Sequence, residues 1–366
     1  MIVAAESVCY ARAMADSGDL PQAWPRPSAP RPIVVIGAGG IVEHAHLPAY
    51  RRLGFEVAGF YDVHPARAHA MAALWPGARA FATIGEAAGW PGAVFDVAVP
   101  GAAVADVLAS LPAHSAVLVQ KPLGESLADA KRIRAVCRAR DLTVALNFQL
   151  RFSPNLIAIK ALVDRGQLGD LVDVEVRTVT YTPWELWSFM RGIPRLEILY
   201  HSVHYLDTLR HLLGEPRGVF TRTTRSQLPE YADVANATIL DYGPTCRVTV
   251  GAFHAHAPLP THAMSELRVE GTRGAAVARM GVNLDYPKGL PDTLEIWMRG
   301  AERFEPVPLR GSWFTEAFEG PMSNLQRFVA GEDPRLISPV DDAVKTMALV
   351  EACYLAAAVP GTPIPE

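Results

Sequence analysis

Pro32-Ile33-Val34-Val35-Ile36-Gly37-Ala38-Gly39-Gly40-Ile41-Val42 decides how this chain is read. Pro32–Ile36 is a short β-branched apolar run, the pattern of a strand buried on both faces. Four residues rich in glycine follow, and a helical stretch then runs to about Leu53. Strand, glycine turn and helix in that order open a βαβ unit.

Reading outward, the alternation continues. Val57–Tyr61 is a strand ending at Asp62, and Pro65–Leu74 is a helix with proline in its first turn. Val94–Val99 is a buried strand ending at Pro100, and Ala102–Leu111 is helical. Ala116–Val119 is a strand ending at Gln120-Lys121-Pro122. Ser126 starts a helix to about Arg140, with Asp129 three residues on, and Leu142–Leu146 is one more strand. Strands separated by helices require right-handed crossovers and a parallel sheet.

The second half has a different grammar. Ser153–Arg165 is helical and closes at Gly166; Val172–Tyr181 alternates in period two. A helix spans about 196–213 and stops at Gly214. Strands follow at about 218–226, 233–241, 245–254, 265–271 and 274–280, then helices at 313–330 and 340–358. Successive strands without long helices between them make a mostly antiparallel open sheet. The expected fold is therefore α/β: an N-terminal Rossmann doubly wound parallel sheet, then an α/β domain with an open, mostly antiparallel sheet. The expected divisions are a Pro-rich arm at 1–31, a dinucleotide-binding domain at 32–150, and a substrate-binding and oligomerisation domain at 151–366. The arm reads either as a disordered tail or as a strap over a neighbouring subunit.

Composition excludes several classes. The 366 residues carry a net charge of −4, and Lys and Arg are scattered, so a nucleic-acid partner is not expected. No long uncharged apolar run suggests a membrane span. Cys9, Cys137, Cys246 and Cys353 form no CxxC pair, which fits a reducing, cytoplasmic compartment, and the first residues do not read as a secretory signal.

The glycine loop Gly37-Ala38-Gly39-Gly40-Ile41-Val42 matches G-x-G-x-x-G except that Val42 replaces the third glycine. Gly37 permits the tight turn, and Gly39 lets a pyrophosphate approach the backbone at a helix start. Asp62, 23 residues after Gly39, stands where a carboxylate accepts from ribose hydroxyls and repels a 2′-phosphate. NAD is favoured, and nearby His64 and Arg67 keep NADP open. Val99, Pro100, Gln120 and Lys121 sit at the carboxyl ends of later strands, where such sheets bind ligands.

A second polar cluster lies in Glu197-Ile-Leu-Tyr200-His201-Ser-Val-His204-Tyr-Leu-Asp207. Helical spacing brings Glu197, Tyr200, His201 and His204 near one face, and histidine suits proton transfer near neutral pH. HisxxHis is not the HExxH zinc pattern. His254 and His256, with Cys246 nearby, complete no ligand set, so no metal is expected. Asn147 and Arg151 read either as substrate contacts or as capping and ion-pairing groups. Arg151 as a contact would suit a sugar-acid carboxylate. Trp184 and Trp187 either wall a pocket or pack on the sheet.

GAGGIVEHAHLPAY, VQKPLGESLADA, NFQLRFSPN and EILYHSVHYLD together resemble the Gfo/Idh/MocA oxidoreductases, over about residues 32–358. The resemblance implies hydride transfer between NAD or NADP and a hydroxyl or carbonyl carbon of a sugar, cyclitol or sugar acid. It implies Lys121 as the catalytic lysine and His204 as the catalytic histidine. It also implies a homodimer or homotetramer formed through the C-terminal sheet. Two departures stand out. Gln120 replaces the family's Glu, and Tyr200 replaces its Asp, leaving Glu197 or His201 as a partner for His204. Two other readings stay within the resemblance: an NAD-assisted glycosidase or lyase without net redox, and a non-catalytic cofactor-sensing sugar-binding regulator.

Overall fold

The structure is a computed structural model that describes residues 20–259, 261–286 and 288–365. In chain order it contains β1 (Ile33–Ile36), a π-helical turn (Val42–His46), α1 (Leu47–Leu53), β2 (Val57–Tyr61), α2 (Pro65–Leu74), β3 (Arg79–Ala80) and α3 (Ile84–Ala88). Next come β4 (Val94–Val97), α4 (Val104–Ser110), β5 (Ala116–Val119), α5 (Leu127–Ala139) and β6 (Thr143–Leu146). Then follow α6 (Pro154–Asp164), β7 (Leu171–Val179), a second π-helical turn (Ile198–Ser202) and α7 (Val203–Leu213). β8 (Val219–Arg225), β9 (Asp233–Asp241), β10 (Arg247–Phe253), β11 (Met264–Gly271), β12 (Gly274–Arg279), β13 (Thr293–Met298) and β14 (Glu305–Pro306) precede α8 (Glu319–Val329) and α9 (Val340–Ala357).

The chain forms two compact units, one of residues 23–152 with 314–348, the other of 20–22, 153–313 and 349–365. The first holds a parallel sheet of order β3-β2-β1-β4-β5-β6. Strand order reverses at β1, which pairs with β2 on one side and β4 on the other. In a doubly wound sheet that reversal opens a crevice at the carboxyl ends of the strands. β1 and β5 are buried along their whole length, as their continuous apolar runs require, and β4 is equally buried although it contains Asp96. Met322 and Leu325 of α8 enter the same core as Ile33, Val35, Phe60 and Leu118. This packing groups 314–348 with the parallel sheet, across a linear division at residue 150.

Capping explains the helix limits. The Ser126 side chain accepts from the Asp129 N–H at 3.1 Å, starting α5 one residue later. α3 is absent from the sequence reading, although Thr83 accepts from the Glu86 N–H at 3.1 Å and Glu86 accepts from the Ala82 N–H at 2.9 Å. The Thr-x-x-Glu spacing was its signal.

The described part of the Pro-rich arm, from residue 20, is not a loose tail: it lies along residues 324–333 of its own chain. Trp24 Nε1 donates to Asp333 Oδ2 at 2.8 Å, Ser28 N–H to Glu332 at 3.0 Å, and Arg31 N–H to Gln326 Oε1 at 2.7 Å. Trp24 also meets the Phe152 ring edge-on at 5.3 Å. Proline content fixed the extended backbone, but the tryptophan and the acidic partners anchor it. Residues 1–19, with Cys9, lie outside the described residues.

The second unit holds a sheet of order β14-β13-β12-β11-β7-β10-β9-β8. All its pairs are antiparallel except β7 with β10, which run parallel. Val174, Val176, Val248, Val250 and Ala252 are buried on one face. The alternation of Val248, Val250 and Ala252 therefore serves the chain's own core. The opposite face carries Phe220, Ile239 and Phe253, exposed by 69%, 51% and 41%. β13 was not read from the sequence, although Leu294 and Ile296 alternate with Thr293 and Glu295.

The expected helices that end near Leu53 and before Gly214 each carry a π turn in their first part, at 42–46 and 198–202. A π turn re-phases the side chains that follow it.

Candidate active site

Gly37 has φ +97°, and a Cβ on it would lie 2.3 Å from the Ala98 carbonyl oxygen. No other residue fits that turn. Gly39 differs, because nothing lies within 4 Å of where its Cβ would stand. Its backbone faces open space of the kind a phosphate can approach. Asp62 holds the loop from below: it accepts from the Ala38 N–H and the His64 N–H, both at 2.8 Å. Ile41 packs against the core, Val99 is half-buried beside Gly37, and Pro100 is exposed.

Gln120 and Lys121 follow β5. Gln120 Oε1 accepts the Lys121 backbone N–H at 2.7 Å, which turns the Gln120 amide nitrogen toward His46 Nε2 at 3.3 Å. Asn147 Nδ2 meets the same nitrogen at 3.1 Å. Two N–H donors converge there, so Nε2 accepts and the ring proton sits on Nδ1. That proton goes to Asp96 Oδ2 at 2.7 Å, an oxygen that also accepts from Tyr50 OH at 2.7 Å. His46 and Asp96 are buried, and burial beside Asp96 raises the Tyr50 phenol well above its usual range. The sequence reading missed this network. Its signal was Asp96, a lone charge inside the apolar run Val94–Val97. Burial lowers the Lys121 ammonium to about 8.

Asn147 and Arg151 need correction as substrate contacts. Asn147 is buried against His46, while Arg151 donates to Asp342 Oδ2 at 2.6 Å and to the Ile337 carbonyl at 2.8 Å. The guanidinium is committed to holding residues 337–342, the ion-pairing alternative, and does not offer a fork to a carboxylate.

In the second unit the π turn places Ser202 against Glu197: Ser202 Oγ donates to Glu197 Oε1 at 2.6 Å. Asn236 Nδ2 donates to Glu197 Oε2 at 2.5 Å. Glu197 is fully buried, and its Oε1 lies 3.2 Å from His254 Nε2. The His201 and His254 rings meet at a tilt of 52° with centroids 4.0 Å apart. Tyr200 diverges from this group and packs among apolar neighbours, its ring 5.9 Å from Phe189. His204 is buried with Trp313 edge-on at 5.5 Å. Trp184 is buried, 6.2 Å from His201 and 5.6 Å from His254, so it lines this cluster as well as packing. His256 and Cys246 take no part: among the described residues the converging set is Glu197, His201 and His254.

A glycine turn at the switch point of a parallel sheet and an acidic residue closing β2 define a dinucleotide-binding unit, here joined to a second sheet-bearing unit. The family described as "Oxidoreductase family, NAD-binding Rossmann fold" matches residues 31–148, and "GFO/IDH/MocA C-terminal domain" matches 156–277. The chain belongs to the GFO/IDH/MocA family. NAD is the cofactor of its Rossmann domain, and the open backbone at Gly39 and the position of Asp62 fit it.

The oxidoreductase YhhX of Escherichia coli K12 is 32% identical over 108 residues, 29% of this chain and 31% of that protein. D-apiose dehydrogenase of Rhizobium rhizogenes is 24% identical over 66% of this chain and 70% of its own. The match thus spans under a third of the first relative's length. An oxidoreductase from Agrobacterium radiobacter, crystallised with NAD+, L-tartaric acid and magnesium, shares the fold. Its TM-score is 0.73 at 19% identity, over 90% of this chain and 97% of that one. No helix among the described residues is long and apolar enough to cross a membrane.

Proposed function

We propose that this chain is an NAD-dependent dehydrogenase that moves hydride between nicotinamide and a hydroxyl or carbonyl carbon of a sugar, cyclitol or sugar acid. The observation that carries the reading is Lys121. It stands at the carboxyl edge of the sheet with its ammonium lowered to about 8, and its backbone is tied to the His46–Asp96 network through Gln120. When bound, NAD supplies the hydride acceptor, or as NADH the donor.

Lys121 donates a hydrogen bond to the reacting oxygen and stabilises the negative charge that develops there. His204 takes the hydroxyl proton in oxidation and returns it in reduction. Tyr200 and His201 shape the helix around His204, and Trp184 walls the sugar side. The sugar class draws support from the D-apiose dehydrogenase relative. The exposed apolar face of Phe220, Ile239 and Phe253 is the surface through which two copies pair. The free thiols of Cys137, Cys246 and Cys353 suit a reducing, cytoplasmic setting.

The test is a nicotinamide absorbance assay with NAD and NADP against sugars, cyclitols and sugar acids, for wild type and Lys121→Ala. Reduced cofactor that accumulates with wild type alone supports the reading. Full activity in Lys121→Ala removes the lysine from it.

A further inference from the structure

We infer that Glu197, His201 and His254 form a binding site for a divalent transition-metal ion of the zinc class. The inference goes beyond the dehydrogenase reading and does not rest on it. One carboxylate oxygen and one nitrogen from each imidazole lie within 4.8 Å of one another. Glu197 Oε1 and His254 Nε2 are 3.2 Å apart. Ligands held at about 2.0–2.1 Å around a tetrahedral ion are separated by about 3.3 Å, so this pair already has the spacing of a coordinated pair.

His254 supplies the second observation. It is 1% exposed, and its Nε2 makes no hydrogen bond, despite the nearness of Glu197. A buried imidazole nitrogen left so is costly unless something accepts its lone pair. Its other nitrogen is already oriented, because Thr182 Oγ1 lies 2.8 Å from Nδ1. With Nδ1–H donating to that hydroxyl, Nε2 carries the lone pair and points toward Glu197. This is the outer-shell arrangement that fixes a metal-bound histidine. Ser202 and Asn236 hold the two oxygens of Glu197 in the same way.

The ligand types choose the ion. Two imidazoles with one carboxylate suit zinc, cobalt or nickel better than magnesium or calcium, which prefer oxygen alone. Three protein ligands leave a fourth position for water or a substrate oxygen. One carboxylate against a divalent cation leaves a net positive charge, which favours an anionic or polyhydroxylated ligand there. Trp184, edge-on to His201 and His254, shields the cluster.

The test is titration of the full-length chain, stripped with chelator, by Zn2+ in a calorimeter and by Co2+ in a visible spectrometer. One equivalent per chain is expected, with the visible bands of four-coordinate Co2+. Glu197→Gln, His201→Ala and His254→Ala should each weaken Zn2+ binding by about 100-fold or more and remove those bands. His256→Ala should leave both unchanged. If a buried-ligand variant does not fold by circular dichroism, His201→Ala, at a half-buried position, carries the comparison. Absence of stoichiometric binding in wild type, or binding unaffected by the loss of these ligands in folded variants, overturns the proposal. Neither readout involves turnover, so a failed dehydrogenase assay and a failed metal titration are separate results.

Discussion

His46 Nδ1 lies 2.7 Å from Asp96 Oδ2 in the interior of the parallel sheet, and the far side of the same ring receives Gln120 and Asn147. The imidazole thereby transmits the position of a buried carboxylate to the residue that precedes Lys121. Gln120 suits this arrangement because an amide can donate to His46 and accept from Lys121 at once. A carboxylate at that position could only accept. The glutamine is complementary to the histidine, beyond the loss of a charge.

His46→Leu should leave Asp96 buried without its imidazole partner. We expect a loss of about 3 kcal/mol in urea unfolding. We also expect kcat/KM to fall between about 10- and 100-fold as Lys121 loses its support. Unchanged stability would show that the pair carries no structural load.

The pH profile should report Lys121. Its folded pKa is lowered to about 8 from 10.5, so between those values the folded chain binds fewer protons than the unfolded one. Stability therefore rises with pH through that window, and below about 8 the whole cost of burying the charge stands. Charge stabilisation by the ammonium requires the protonated form, so carbonyl reduction should decline above an inflection near pH 8. Lys121→Arg should lack that inflection, because guanidinium stays charged.

Gly37 and Gly39 should separate stability from cofactor binding. Gly37→Ala sets a Cβ 2.3 Å from the Ala98 carbonyl at φ +97°, and should cost about 2 kcal/mol or more in thermal unfolding. Gly39→Ala meets no atom within 4 Å and should cost under about 1 kcal/mol. It should still weaken NAD binding about tenfold or more in calorimetry, because its methyl stands where the phosphate approaches.

Arg151→Met should lower stability by about 1.5–3 kcal/mol, the scale of hydrogen bonds from a charged group, through loss of Asp342 and the Ile337 carbonyl. KM for any substrate found should stay unchanged. A large rise in KM at unchanged stability would return Arg151 to the substrate.

Local sequence determined the parallel-sheet strands, the glycine turn and the start of α5. Ile33–Ile36, Val57–Tyr61 and Ala116–Val119 are fully or mostly buried, so each reads as an unbroken apolar run without reference to anything distant. Gly37 and Ser126 announce themselves because turn and cap chemistry involve only neighbours. Asp62 was legible from its spacing to the glycine loop, whereas the expected roles of Lys121 and His204 came from resemblance to a family's motifs. Tertiary structure alone decided what the polar groups face. Asp96 meets His46 across 50 residues, and Asn147 meets it across 101. Glu197 and His201 are joined by His254, which directly follows β10, a later part of the chain. The π turns at 42–46 and 198–202 belong to this second kind, since no residue pattern marks a shifted hydrogen-bond register. Hydrophobic periodicity is a local signal. The pairing of buried polar atoms is set by where the chain returns in space, because each must find its partner among groups that folding has brought together.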